Sequence, residues 1–319
     1  MFVREVLAGV ERYQNAARVP RCAAQPVIAS QRGAQVLDYG GNGPPVLFIP
    51  SIINPPHVLD LSEDNSLLRW LATQGVRPLL LDWGSSEARH DLSLAGHVEE
   101  ILLPLVEGLG PDLSVAGYCL GGTMAVAVAT RAPVRSAVLM AAPWDFAGYA
   151  PDARARMPLL WETGRPVAEA VDTFPMELLQ TAFWSLDPDR TFGKYRDFAR
   201  AEPGSSAARG FVVLEDWAND GPSLPLPAAR ELLEDFYGLN RPGEGSWDIA
   251  GGPVRLEDVS CPVLNIISST DRIVPEASAA ALGEPLVLDL GHVGMVVSRN
   301  APERLWSPLA SWLSRLRHK

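Results

Sequence analysis

One hexapeptide constrains the fold of this 319-residue chain more than any other feature: Gly117-Tyr118-Cys119-Leu120-Gly121-Gly122. It directly follows a short apolar run at residues 113–116 and directly precedes an alanine-rich stretch that is typical of a helix. In a turn this tight, a Cβ atom at Gly117 or Gly121 would collide with neighbouring backbone. The pattern therefore predicts a strained strand-to-helix turn that holds the Cys119 side chain at the edge of a sheet.

The position of Cys119 in this turn is that of a nucleophile, with cysteine where serine is usual. The turn also places the thiol at the N-terminus of a helix, whose dipole favours the negatively charged thiolate. The alternative is that Cys119 is a small buried residue in a glycine-rich turn, because free cysteine is often buried. We favour the nucleophile because the strand, the glycine spacing and the helix coincide.

Six short apolar runs predict strands that are buried on both faces, as in a parallel sheet between helices. They cover residues 45–49, 77–81, 113–116, 136–140, 263–267 and 285–288. Helical patterns fall between them, and one predicted helix face consists of Leu94, Val98, Ile101, Leu102 and Leu105. A last helix is expected to begin with Ser307 as its N-cap and Pro308 at its first position. The alternation predicts an α/β protein with a mainly parallel, doubly wound sheet.

The alternation of strands and helices is interrupted between residues 143 and 255, and we call this segment the cap. It holds 15 of the 24 aromatic residues of the chain. A connection this long needs structure of its own, and we predict a helical lid over the carboxyl edge of the sheet. The core domain is then formed by residues 1–142 and 256–319. The aromatic residues either line an apolar substrate channel or form the internal core of the cap.

A cysteine nucleophile needs a base and an acid that orients the base, and the turn motif predicts the α/β-hydrolase fold, in which the chain order is nucleophile, acid, base. His292 follows the last predicted strand, where this fold has its base. Asp271 follows the preceding strand and is our candidate for the acid, although it could be an ordinary turn residue. Asp145 is a rival because it too follows a strand.

Two backbone N–H groups are expected to form an oxyanion hole, which stabilises negative charge on the carbonyl oxygen under attack. One is the N–H of Leu120, directly after the nucleophile. The other comes from the loop after the first predicted strand, where we choose Ile53 and keep Ile52 as an alternative. As side chains, both isoleucines could simply be apolar loop residues.

Composition excludes several other classes of protein. The net charge of -11 argues against a nucleic-acid partner, which needs clustered Lys and Arg. The three cysteines, Cys22, Cys119 and Cys261, have no zinc-site or disulfide spacing, and no metal site, cofactor or phosphate-binding loop is evident. No apolar run reaches the roughly 20 residues that span a bilayer, and no signal peptide is recognisable. We therefore expect a cytoplasmic protein without a transmembrane segment.

Several motifs together resemble those of the polyhydroxyalkanoate synthases. Besides the cysteine turn, the matching segments are Pro50-Ser51-Ile52-Ile53-Asn54, Val58-Leu59-Asp60-Leu61, Asp82-Trp83-Gly84, Ala142-Pro143-Trp144-Asp145-Phe146, Asp271-Arg272-Ile273-Val274-Pro275 and Gly291-His292-Val293-Gly294. Leu214-Glu215-Asp216-Trp217 and Asp235-Phe236-Tyr237 are similar to segments of the short, two-subunit synthases. The sequence departs from these synthases at Arg272, where they usually have histidine.

This resemblance implies an acyltransferase that moves (R)-3-hydroxyacyl groups from coenzyme A thioesters onto a growing polyester through an acyl-Cys119 intermediate. It assigns the catalytic roles to Cys119, Asp271 and His292, as the residue pattern does. It also implies a second synthase subunit, a homo-oligomer and a place at the surface of a polyester granule. Two alternatives stay open: a cysteine-dependent thioesterase or esterase with the same three residues, and an inactive granule-associated homologue.

Overall fold

The strands come from both ends of the chain. Within residues 2–184 and 188–316, which this computed structural model describes, twelve strands form. In chain order they are β1 (Val27–Gln31), β2 (Ala34–Asp38), β3 (Pro45–Ile49), β4 (Asp60–Ser62), β5 (Asn65–Ser66), β6 (Arg77–Asp82), β7 (Ser114–Tyr118), β8 (Ala137–Met140), β9 (Asp248–Ile249), β10 (Gly252–Pro253), β11 (Val263–Ser268) and β12 (Glu284–Leu288). Eight of them form one sheet in the order β1-β2-β6-β3-β7-β8-β11-β12, and β4–β5 and β9–β10 are two small ribbons.

The sheet is parallel from β6 to β12, which confirms the α/β prediction. All six predicted strands are present, with ends that differ from the predicted ones by at most two residues. The prediction that all six are buried on both faces is wrong for β12, which lies at the edge of the sheet and is largely exposed. The antiparallel pair β1–β2 at the edge was not predicted. Its residues are largely exposed or half-buried, so it lacks the continuous apolar run that marks a strand buried on both faces.

Twelve α-helices form within the described residues. In chain order they are α1 (Phe2–Gln14), α2 (Leu67–Thr73), α3 (Leu94–His97), α4 (Leu103–Leu109), α5 (Leu120–Arg131), α6 (Pro151–Val171), α7 (Met176–Trp184), α8 (Pro188–Arg200), α9 (Ser206–Asn219), α10 (Leu226–Arg230), α11 (Gly294–Val297) and α12 (Ser307–Arg315). Wider π turns join α3 to α4 (Val98–Leu102), follow α10 (Glu231–Gly238) and precede α12 (Pro302–Trp306).

Two hydrophobic clusters show how the layers pack. Alternate residues of β3 enter different clusters: Leu47 and Ile49 pack with α3–α5, whereas Val46 and Phe48 pack with α2, α11 and α12. Because successive side chains of a strand point to opposite faces, helices cover the sheet on both sides, as a doubly wound fold requires. The five residues predicted for one helix face, from Leu94 to Leu105, are all buried.

The predicted start of the last helix is wrong. Ser307 has helical angles, φ -66° and ψ -45°, and lies inside a helical stretch that begins at Pro302. Its hydroxyl donates a hydrogen bond to the Pro302 carbonyl at 2.8 Å. Pro308 lacks an N–H, and the wider π turn before it allows the helix to continue past this missing donor.

The cap contains α6–α10 and the β9–β10 ribbon, and neither strand of that ribbon joins the eight-stranded sheet. The N-terminal helix α1 packs against α8 of the cap. Their backbones are close, since a Cβ atom at Gly9 would lie 1.9 Å from the Tyr195 carbonyl oxygen. The division into a core domain and a cap domain stays a prediction.

Candidate active site

The turn at Cys119 has the strained geometry that its glycines predict. Cys119 has φ 55° and ψ -128°, and α5 begins at the next residue, Leu120. A Cβ atom at Gly117 would lie 2.3 Å from the Gly121 carbonyl oxygen, and one at Gly121 would lie 2.1 Å from that of Ile49. Only glycine fits at these two positions, and the turn directs Cys119 away from the strand, at the helix N-terminus.

His292 and Asp271 meet at the carboxyl edge of the sheet, where β12 and β11 end. The Nδ1 atom of His292 lies 2.7 Å from Oδ2 of Asp271, whose side chain is fully buried. The other carboxylate oxygen, Oδ1, accepts hydrogen bonds from the backbone N–H groups of Ile273 at 2.8 Å and Val274 at 3.0 Å. The carboxylate is therefore held in one orientation and in turn fixes the imidazole.

The imidazole also lies close to Cys119, and both side chains line the same cavity. Burial opposes a charge on the ring, but attraction to Asp271 and Cys119 outweighs burial and raises the pKa of His292 to about 10. The ring of Tyr118 stacks on His292 with centroids 5.1 Å apart, and the Tyr118 hydroxyl donates to the His292 carbonyl at 3.1 Å. Tyr118 is part of the turn motif, yet its contact with the base was not foreseen.

The rival acid, Asp145, takes a different part in the structure. Its Oδ1 atom accepts hydrogen bonds from the backbone N–H of Ala147 at 3.0 Å and from Nδ2 of Asn240 at 2.8 Å. It is the N-cap of a short 3₁₀ turn, Phe146–Gly148. Its hydrogen bonds therefore stabilise the entry into the cap, whereas those of Asp271 reach the imidazole.

The residues predicted to donate to the oxyanion both lie next to Cys119, Leu120 in the chain and Ile53 in the cavity lining. Leu120 is the first residue of α5, so its N–H has no acceptor within the helix. Ile53 lines both cavities that contain Cys119, whereas Ile52 lines a separate cavity behind the loop. The Ile53 N–H donates to the Ser51 hydroxyl at 3.2 Å, so it would have to exchange this acceptor for the oxyanion. The assignment of these donors stays a prediction.

A cavity of about 210 Å³ opens above the thiol between the sheet and the cap. Its floor contains Cys119 and His292, and its cap wall consists of Met176, Gln180, Lys194, Trp217 and Ala218. A second, smaller apolar cavity, lined in part by Tyr149 and Tyr237, reaches Cys119 from the other side. Other cap aromatics, such as Trp161 stacked on Phe174, pack inside the cap. Some cap aromatics therefore line a cavity at Cys119, whereas others form the internal core of the cap; a substrate channel stays a prediction.

Among the described helices, none has both the length and the apolar character needed to cross a membrane. Across residues 2–184 and 188–316, no group of three or more His, Cys, Asp or Glu side chains is arranged to hold a metal ion.

The fold and the cysteine turn define a member of the alpha/beta hydrolase family, and that family's model matches residues 46–306. Among solved structures, BpoC of Mycobacterium tuberculosis superposes with a TM-score of 0.56 at 18% identity, over 93% of this chain and 99% of that one. An esterase of Thermogutta terrifontis superposes with a TM-score of 0.51 at 17% identity, over 94% and 99%. At these identities the similarity shows the fold.

Comparison with related sequences identifies a more specific family within the alpha/beta hydrolases. The chain is 30% identical to the poly(3-hydroxyalkanoate) polymerase subunit PhaC of Allochromatium vinosum over 290 residues, which cover 85% of this chain and 80% of the relative. The subunit PhaC of Synechocystis is also 30% identical, over 85% and 77%. That of Haloarcula marismortui is 28% identical over 90% of this chain and 64% of the relative. The chain belongs to the PhaC family of poly(3-hydroxyalkanoate) polymerase subunits.

Proposed function

We propose that this protein is an acyltransferase that moves (R)-3-hydroxyacyl groups from coenzyme A onto a growing polyhydroxyalkanoate chain. The observation that carries the proposal is that Cys119 and His292 line the floor of one cavity under the cap, with His292 bonded to the buried Asp271. The PhaC relatives, which are named as polymerase subunits, supply the substrate class.

In the first half-reaction, the Cys119 thiolate attacks the carbonyl carbon of the acyl thioester. Negative charge develops on the carbonyl oxygen, which accepts hydrogen bonds from the N–H groups of Leu120 and Ile53. When the intermediate collapses, the bond to the sulfur of coenzyme A breaks. His292, whose raised pKa keeps it protonated at neutral pH, gives its proton to the departing thiolate. One thioester becomes another, so the acyl group stays activated.

In the second half-reaction, the hydroxyl of the acceptor attacks the acyl-Cys119 carbonyl. His292, now neutral, takes the hydroxyl proton, and collapse of the intermediate forms an ester and restores the Cys119 thiolate. Asp271 keeps the imidazole oriented and stabilises its positive charge in both steps. Water would compete with the acceptor, and the cap limits its access to the cavity.

The decisive experiment measures free coenzyme A released from (R)-3-hydroxybutyryl-coenzyme A by wild type and by Cys119→Ala, with the acyl product identified. We expect release by wild type, no release by the variant, and an oligomeric hydroxyacid product. Release with monomeric acid alone would assign the protein as a thioesterase. Binding of coenzyme A without turnover in either protein would support an inactive homologue.

The same proposal includes a second synthase subunit, self-association of this chain and a place in the cytoplasm at the polyester granule surface. The word subunit in the names of the relatives supports the first of these. Sedimentation of the purified chain, alone and with a candidate second subunit, tests association. Turnover that is unchanged by the second subunit would count against the need for it.

A further inference from the structure

The loop that carries the Ile53 donor is attached at both ends by tryptophan side chains. The indole Nε1–H of Trp83 donates to the Pro50 carbonyl at 3.1 Å, and that of Trp217 donates to the Pro55 carbonyl at 2.8 Å. We call residues 50–55 the clamped loop. Each indole fixes one end of a six-residue segment whose centre faces Cys119.

The Trp83 end belongs to the core. Trp83 directly follows β6 and is 3% exposed. Its own carbonyl accepts a hydrogen bond from Nε of Arg89 at 3.2 Å, and the Arg89 guanidinium lies 6.0 Å from the centre of its ring. The ring of His97 packs edge-on against Trp83 at 5.5 Å. Trp83 is therefore held by the buried side chains of Arg89 and His97.

The Trp217 end belongs to the cap. Trp217 lies on α9, is 6% exposed and forms part of the wall of the cavity above Cys119. Its neighbours on α9 attach that helix to other elements: Glu215 accepts from Lys194 and Tyr195 of α8, and Asp216 accepts from Tyr13 of α1. The bond from Trp217 to Pro55 therefore crosses from the cap to a core loop.

We propose that Trp217 is a positioning residue that couples the seating of the cap to the alignment of the clamped loop beside Cys119. The inference rests on the acyl-transfer function proposed above. When the cap is seated, the indole holds Pro55 and with it the Ile53 N–H. When α9 moves away, the loop keeps only its Trp83 attachment, and the oxyanion hole loses its alignment. Acyl transfer is thereby restricted to the state in which the cap covers the cavity.

The test uses Trp217→Phe in the full chain, which removes the indole N–H and keeps an aromatic ring. We expect kcat for coenzyme A release to fall about 10- to 100-fold, because a small displacement of a catalytic group costs about that much, while KM changes little. The rate of Cys119 alkylation by iodoacetamide should stay within about twofold of wild type, because alkylation forms no oxyanion and needs no oxyanion hole.

Trp83→Phe, which removes the other attachment, should give the same pattern. The matched control is Trp247→Phe: this buried indole donates to Glu231 at 2.7 Å, away from the loop. It should lower stability and leave kcat unchanged. The proposal is overturned if Trp217→Phe keeps wild-type kcat, or if kcat and the alkylation rate fall together, since the second result locates the damage at the nucleophile.

Acylation by p-nitrophenyl acetate separates this inference from the proposed substrate. This ester acylates a cysteine through an oxyanion whatever acyl group the protein normally carries. Wild type that does not react with the hydroxyacyl thioester but is acylated by the ester would show that the proposed substrate is wrong. A slower initial burst of p-nitrophenol release in Trp217→Phe would then still support the coupling of the cap to the clamped loop. An equal burst of p-nitrophenol in both proteins, or no burst in wild type, would refute the coupling of the cap to the clamped loop.

Discussion

At the scale of single residues, Asp271 and Asp145 are two carboxylates that each follow a strand and differ in what they contact. Asp271 is bonded to the imidazole of His292, whereas Asp145 is bonded to Ala147 and Asn240. Both carboxylates would look alike to any method that considers the neighbouring sequence alone. Substitution by asparagine separates them, because the amide keeps the size of the side chain and removes its charge.

For Asp271→Asn we expect kcat for coenzyme A release to fall on the order of 10⁴-fold, because the amide favours the wrong imidazole tautomer and no longer stabilises the imidazolium. Asp145→Asn is the control. Both of these side-chain hydrogen bonds end at Oδ1, which an asparagine oxygen reproduces, so activity and thermal stability should match wild type. Loss of activity in the second variant but not the first would reverse the assignment of the acid.

At the scale of secondary-structure elements, the turn between β7 and α5 leaves no room for a Cβ atom. Alanine substitution measures how much stability depends on this crowding. In Gly121→Ala the new Cβ would lie 2.1 Å from the Ile49 carbonyl oxygen, a backbone atom that cannot move freely. We expect a loss of about 3 kcal/mol in the free energy of unfolding, measured by urea denaturation.

Gly108→Ala is the matched control on α4, because its Cβ would have no neighbour within 4 Å. Here alanine should stabilise the protein by about 0.5–1 kcal/mol, since it restricts the unfolded chain and favours a helix. If both variants lost the same free energy, crowding at the turn would not be the cause.

A second junction joins the cap to α3 through Glu231. Its carboxylate accepts from the Ala95 N–H at 3.0 Å and from the Trp247 indole at 2.7 Å. Glu231→Gln leaves one donor without an acceptor, because the amide nitrogen cannot accept, and should cost about 1–3 kcal/mol at neutral pH.

The comparison of wild type with Glu231→Gln also predicts a pH dependence of stability. Burial raises the pKa of Glu231 above its usual value of 4.5, although hydrogen bonds from Ala95 and Trp247 oppose the rise. A group with a raised pKa in the folded state contributes stability below its unfolded pKa and loses that contribution as pH rises through the folded one. The advantage of wild type over Glu231→Gln should therefore be larger at pH 4.5 than at about pH 8. A constant difference in unfolding free energy across this range would contradict the shift.

At the scale of the whole molecule, α1 connects the N-terminus to the cap before the chain enters the sheet at β1. Gly9 brings its backbone against α8, and Arg12 donates to the carbonyls of Phe198, Ala199 and Ala201 at the end of that helix. We expect Gly9→Ala to push the two helices apart and to increase hydrogen exchange in α8, with no change in β3 or β7.

Gly193→Ala on α8 itself, where a Cβ would meet nothing within 4 Å, should slow exchange in that helix instead. Faster exchange throughout the sheet of Gly9→Ala would mean that α1 supports the whole fold and not the cap alone.

Much of the fold follows from the sequence because its causes are local. A strand covered on both faces must be apolar throughout, so β3, β6, β7, β8 and β11 are visible as continuous apolar runs. The turn at Cys119 is visible because its backbone geometry excludes any residue other than glycine at two positions. The exposed pair β1–β2 has no such constraint and was missed.

Other features depend on residues far apart in the chain, and only the tertiary structure decided them. Strand order predicted His292 and Asp271 as candidates, but the 2.7 Å contact between them requires β11 and β12 to lie side by side. The stacking of Tyr118 on His292 and the bond from Trp217 to Pro55 likewise join distant segments. The sequence by itself determined which short segments form strands and the turn, because each depends on its own residues, whereas the meeting of side chains depends on how the whole chain packs.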